Sequence, residues 1–273
     1  MQIIVGSSPT SPICLFSISG KCTSFSAGRN EGSIPLIDLK FGDIAQRESN
    51  CPADNRPRVR IPLSPFALIL ILCYKYYMKI YLRDKNSQMT EAWNHYFADN
   101  ENFHISCGGI FDSGIFDSTE HMNCEGIVSP ANSFGFMDGG IDYVYSEYFG
   151  WEMSEELRRI IHCSHDGELL VGNAAVVEIG NGFKYLISAP TMRVPMNIAN
   201  TVNVYLAFRA ALTAAEKYKM SSILCPGLGT AIGKVPHMLA AKQMHEAYQN
   251  FISPQPFDIL GTAYHKHNDM LHV

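Results

Sequence analysis

The 273-residue sequence has no Cys-x-x-Cys pair, no long apolar run and no strong charge of either sign. Each absence closes off a class of function. The eight cysteines are scattered, with neither the clustering of a secreted disulfide scaffold nor the Cys/His spacing of a zinc site. That pattern predicts reduced thiols, a cytoplasmic location and no metal centre. The one prominent apolar run, Phe66 to Tyr74, is too short to cross a bilayer, and no secretory leader is visible, so no membrane partner is expected. A net charge of -5 offers no electrostatic footprint for nucleic acid. There is no Gly-x-Gly-x-x-Gly with an acidic residue about 20 positions on, which argues against a dinucleotide dehydrogenase. No Gly-Lys-(Ser/Thr) is present either, so the chain has no Walker motif. No cofactor is expected. Nothing in the composition fixes the oligomeric state.

Residues 1–77 also lack periodicity. They are rich in Ser, Pro and Arg and follow neither a helical nor a strand pattern. Three similar peptides recur there: Gly6-Ser7-Ser8-Pro9, Gly32-Ser33-Ile34-Pro35 and Val59-Arg60-Ile61-Pro62. Their starts, 6, 32 and 59, are 26 and 27 residues apart, yet no unit has a hydrophobic face with which to stack on its neighbour. The genetic code offers another origin. The T-arm of transfer RNA genes reads as Gly-Ser-(Ser/Ile)-Pro in one frame and Val-Arg-Ile-Pro in the next, and the spacing equals roughly eighty nucleotides, about one such gene. On this reading residues 1–77 are a non-globular leader resembling translated tRNA genes, and Met78 is the start. The alternative is a disordered tail with a use of its own.

The remaining 196 residues (273 minus 77) suffice for one compact domain, 78–273. Met78 to Leu82 and Phe103 to Cys107 read as strands. Between them Met89, Ala92, Trp93, Tyr96 and Phe97 form one apolar helical face with Ser87 as N-cap. Further strands are expected at Ile127-Val128, over 174–179 and 183–189 on either side of the Gly180-Asn181-Gly182 turn, and at Ser222 to Cys225. Helices are expected after Gly140, from Ser154 to His162, from Lys217 back to a Thr201 cap, and from Pro236 to Phe251. His162 and His165 read as solvated helix-end residues. The tail from Ser253, with His265, His267 and His272, reads as a frayed end rather than a metal site.

Two places repeat one arrangement: a strand, a glycine-rich turn, then a helix. The first runs from Gly126 to Gly150, where Pro130 ends the strand and Asp138-Gly139-Gly140 turns into a helix marked by Ile141, Val144, Tyr145 and Tyr148. The second is Pro226-Gly227-Leu228-Gly229-Thr230-Ala231-Ile232-Gly233. Backbone N–H groups without an intervening Cβ, at a helix N-terminus, make an anion cradle. Taken alone, this describes a generic nucleotide-phosphate-binding α/β protein.

Ser129-Pro130-Ala131-Asn132-Ser133 followed by Gly139-Gly140-Ile141-Asp142 resembles the first ligand loop of macro domains, the ADP-ribose-binding modules, and the second glycine loop resembles their second phosphate loop. The resemblance implies a three-layer α/β/α fold with a mixed, mostly parallel central sheet. It implies ADP-ribose or an ADP-ribosylated protein as partner, and a covering segment over 190–199. It further implies ligand contacts at Ser129, Ala131, Asn132, Gly139, Gly140, Ile141, Gly227, Gly229, Thr230, Ala231, Ile232 and Gly233. Asn132 matches the residue that binds the distal ribose. Asp142 stands ten positions after it, as in the hydrolytic branch of the family, where that Asp activates a water. Asn132 and Asp142 are thus the catalytic candidates, and Asp142 is equally placed to cap the helix. The implied activity is removal of mono-ADP-ribose from protein, or deacetylation of O-acetyl-ADP-ribose. The alternative is a module that binds ADP-ribose without turning it over.

The sequence departs from the family pattern twice. Ala231 replaces a glycine, which a positive φ there would penalise. Gly109 stands where an Asp usually accepts from the adenine amino group, so poor discrimination between bases is expected unless Asp112 or Asp117 substitutes.

Overall fold

The structure, a computed structural model, describes residues 15–16, 22–23, 78–112 and 124–273. The other residues of the leader, and Asp117, lie outside the described residues. The chain falls into two units, Met1–Arg60 and Ile61–Val273. In the first, β1 (Leu15–Phe16) pairs antiparallel with β2 (Cys22–Thr23).

The second unit is built on a six-stranded sheet. Its strands are β3 (Lys79–Asp84), β4 (Phe103–Cys107), β5 (Gly126–Ser129), β6 (Ala175–Glu178), β7 (Tyr185–Ser188) and β8 (Ser222–Cys225), in the order β4-β3-β8-β5-β7-β6. Every pairing is parallel except that of the edge strand β6 with β7. That hairpin is closed by Asn181 (φ 55°) and Gly182 (φ 91°), the two positive values that a type I′ turn demands.

The central strands are short apolar runs because both of their faces are covered. Successive side chains go to opposite layers. Ile127, Leu186 and Leu224 enter one core with Tyr145, Leu157 and Ile161, from α2 (Gly140–Phe149) and α3 (Glu152–Ser164). Val128, Ile187, Ile223 and Cys225 enter the other, with Trp93, Phe208 and Met244 from α1 (Ser87–Phe97), α4 (Asn203–Lys217) and α5 (His237–Ile252). The result is the three-layer α/β/α arrangement.

Several expectations are corrected in detail. Asn86, not Ser87, caps α1, because its side chain accepts from Gln88 N at 3.0 Å. Helix α4 starts at Asn203 after Val202. Thr201 Oγ1 takes only a long 3.3 Å bond from Asn203 N while donating to Ile198 O. Val144 is exposed, so the buried stripe of α2 is centred on Tyr145. The tail is not frayed. It forms α6 (Leu260–Asp269), which Lys266 fastens to Glu246 at 2.6 Å, while Gln243 Nε2 donates to Met270 O at 2.9 Å.

Candidate functional site

Because β3, β8, β5 and β7 are mutually parallel, their C-terminal ends share one edge of the sheet, and the loops that leave them converge there. Strand β5 leads through Pro130–Gly139 into α2, and β8 leads through Pro226–Pro236 into α5. A third segment, from β7 to α4, ties the two together. Thr191 N donates to Ala131 O, Ser133 N donates to Arg193 O, and Ile198 N donates to Gly233 O. The expected covering segment is therefore a strap bonded to both loops.

In each loop a run of backbone donors is left free. The N–H groups of Met137 through Asp142 find no acceptor among the described residues, nor do those of Leu228 through Gly233. Gly139 is extended (φ -145°), Gly140 is left-handed (φ 61°), and a Cβ at either would meet nothing within 4 Å. Both face open space. Ala231 and Ile232 are exposed, while Ile141 and Thr230 are half-buried.

The other glycines serve the loop itself. Gly229 (φ 69°) is packed between Val204 and Ile198, and a Cβ on Gly233 would collide with the carbonyl of Gly229. Gly227 N donates to Asp84 Oδ2 at 3.0 Å, so its amide is already used. Ala231 is absent from the residues with positive φ, and the missing glycine carries no penalty there.

Both catalytic candidates have side chains committed to hydrogen bonds within the protein, Asn132 to its own loop and Asp142 in the interior. Asn132 Nδ2 donates to Phe136 O at 2.7 Å, and its Oδ1 accepts from the amides of Phe134 and Phe136. Its side chain shapes its own loop. Asp142 is the third residue of α2 and makes no cap; the N-cap is Gly139, so the capping reading fails. The carboxyl instead reaches the end of β5, where Oδ1 accepts from the fully buried Ser129 hydroxyl at 2.6 Å. Ser129, expected among the ligand contacts, thus has its side chain committed inside, and Ala131 is also buried. Burial pushes the Asp142 carboxyl up to about 7, and the Ser129 hydrogen bond only partly opposes that rise. Two hydroxyls, Ser133 Oγ and Ser188 Oγ, are buried without a partner among the described residues, and Ser188 is the register partner of Ser129.

Of the two residues the sequence offered in place of the Asp missing at 109, Asp112 lies against Gly109. Gly109 N donates to Asp112 Oδ2 at 2.9 Å, and a Cβ on Gly109 would lie 2.7 Å from Asp112 Cγ. Asp112 is exposed, and its carboxylate occupies the space that a side chain at 109 would fill. Arg83, buried beneath, holds this turn through Gly109 O and Asp112 O. The sequence named Asp112 as a candidate, and the turn that brings its carboxylate back over Gly109 is what the structure adds.

The family model described as Macro domain matches residues 128–244, a span that contains both loops and the strap between them. The chain belongs to the macro domain family. An uncharacterised protein of Aquifex aeolicus is 35% identical over 135 residues, covering 49% of this chain and 78% of that protein. One from Sulfurisphaera tokodaii is 33% identical over 140 residues, covering 50% and 74%. Among solved structures, the macrodomain of Mycobacterium tuberculosis DarG matches with a TM-score of 0.44 and 19% identity, covering 53% of this chain and 88% of that one. The Oceanobacillus iheyensis macrodomain with ADP matches with a TM-score of 0.43 and 20% identity, covering 49% and 72%.

Proposed function

We propose that this macro domain binds ADP-ribose and hydrolyses mono-ADP-ribose esters of protein carboxylates, or O-acetyl-ADP-ribose. The observation that carries the proposal is the pair of free amide runs, Met137–Asp142 and Leu228–Gly233, on adjacent parallel strand ends. Two cradles side by side suit a diphosphate, whose charge the N-terminus of α2 also favours. The exposed Asp112 carboxylate supplies the acceptor for an adenine amino group that Gly109 lacks.

In the hydrolytic step on a protein ester a water oxygen bonds to the distal ribose C1″ while the C1″–O bond to the acyl group breaks, and the acyl oxygen leaves as a carboxylate with the bonding pair. Asp142 takes the water proton and later returns it to solvent. A carboxyl with its affinity near neutrality suits that task. Asn132 shapes the loop that presents the cradle. A binding module without turnover is the second reading, and the commitment of the Asn132 amide to Phe136 O of its own loop favours it.

Calorimetry with ADP-ribose, AMP and GDP-ribose tests the binding. Gly139→Val puts a side chain into open space from an extended backbone, so it should abolish ADP-ribose binding and leave the melting temperature intact. Gly140→Val should lower both, because a β-branched residue resists a positive φ. Asp112→Ala should erase a preference for ADP-ribose over GDP-ribose of about tenfold or more, the worth of a charge-assisted hydrogen bond. Unchanged affinity in Gly139→Val would overturn the phosphate assignment.

A further inference from the structure

We propose that Ser129 is a positioning residue for Asp142: its buried hydroxyl grips one carboxylate oxygen and so sets when and in which direction the other can accept a proton. The inference rests on the hydrolase reading above, but its physical core does not.

The geometry is closed on one side and open on the other. Ser129 ends β5 with no exposed surface, and its Oγ donates to Asp142 Oδ1 at 2.6 Å. With no exposed surface, the Ser129 hydroxyl has no water to turn to, and its partner is the Asp142 carboxyl. Asp142 keeps 8% of its surface exposed, and Oδ2 has no partner among the described residues. One oxygen is therefore anchored, and the second is the available acceptor.

The surroundings make that single hydrogen bond decisive. The other titratable groups at this corner are Tyr145 on α2 and, from neighbouring strand ends, Cys225 on β8 and Asp84 on β3. Tyr145 spends its hydroxyl on Val128 O, and burial holds it and Cys225 in their neutral forms. No Lys, Arg or His pairs with Asp142 among the described residues. Ser129 is the one neighbour that lowers the proton affinity of Asp142, against a larger opposing effect of burial. Removing the hydroxyl removes the only compensation. It should raise the carboxyl pKa by about one unit, the scale of a hydrogen bond to a charged group.

The test uses the full chain with ¹³C-labelled Asp. Wild type, Ser129→Ala and Ser129→Thr are titrated by NMR, with Asp142→Asn identifying the resonance. The Asp142 carboxyl should titrate near neutrality in the wild type, about one unit higher in Ser129→Ala, and near the wild-type value in Ser129→Thr, which restores a hydroxyl. If turnover is measurable, the acid limb of kcat should move by the same amount, with activity at pH 7 about fivefold lower and KM nearly unchanged. A titration unmoved by Ser129→Ala in a protein that still melts like wild type overturns the proposal, as does a shift that Ser129→Thr fails to reverse. If the wild type has no turnover but the titration shifts as expected, the hydrolase reading falls while the Ser129 assignment stands.

Discussion

Burying a carboxyl group on the inner side of a helix makes its ionised form costly, and Asp142 bears that cost at neutral pH. Its native affinity lies near pH 7, against 3.8 ordinarily, so the folded protein holds a proton that the unfolded chain has released. The sign follows: between about pH 4 and pH 7 stability falls as pH rises, and the loss is complete above the native value. Asp142→Asn removes the titration. Its unfolding free energy should gain on wild type between pH 4 and pH 8, by up to about 4 kcal/mol. The same substitution should slow release of ADP-ribose from a modified carboxylate by about 10²–10⁴-fold, the usual worth of a positioned base. A difference in stability that stays flat with pH would show that the carboxyl is not held neutral. Full activity in Asp142→Asn would place the base elsewhere. A stabler, inactive variant is what a functional site under strain should give.

At the scale of elements, the strap from β7 to α4 decides whether the two cradles stay together. Ile198 donates its amide to Gly233 O and packs its side chain under both Gly229 and Gly233. A Cβ on Gly233 has no room, since it meets the Gly229 carbonyl and lies 2.7 Å from Ile198 Cγ1. Gly233→Ala should therefore lower the melting temperature and weaken ADP-ribose binding together, whereas Gly139→Val separates the two effects. Equal affinity in a destabilised Gly233→Ala would mean that the second loop does not hold the ligand. The strands were legible in the sequence as short apolar runs, such as Ile223-Leu224-Cys225, whose side chains go alternately to two covered faces, while the three-layer order came from the family resemblance. The glycine loops were legible because few residue types permit such turns. The tail helix was not: none of its residues is buried, so it has no apolar stripe, and its docking depends on Lys266 and Gln243 finding partners far away in sequence. The hydrogen bonds that occupy the side chains of Asn132 and Asp142 were equally hidden. Their spacing gives position on the loop and helix, while direction is settled by Phe136 and Ser129.

At the scale of the whole molecule, the question is where the folded unit starts. Met78 is buried, at 1% exposure, and Lys79 N donates to Ser221 O as β3 enters the middle of the sheet between β4 and β8. Among the described residues both core clusters draw only on positions from 78 onward. A chain beginning at Met78 keeps every one of those contacts, including the Asp84 carboxylate that holds Gly227. It should melt within a few degrees of the full chain and bind ADP-ribose with the same affinity, since the contacts of both core clusters and of the two loops are all retained. A chain beginning at Ile61 serves as the discriminating control, because the second unit opens there. If the Met78 form is clearly less stable and the Ile61 form is not, then residues 61–77 pack on the domain and the reading of the leader as foreign to the fold holds only up to Arg60. If both shortened forms lose stability or affinity, the three repeated peptides belong to a working part of the protein, and their likeness to translated tRNA genes is coincidence.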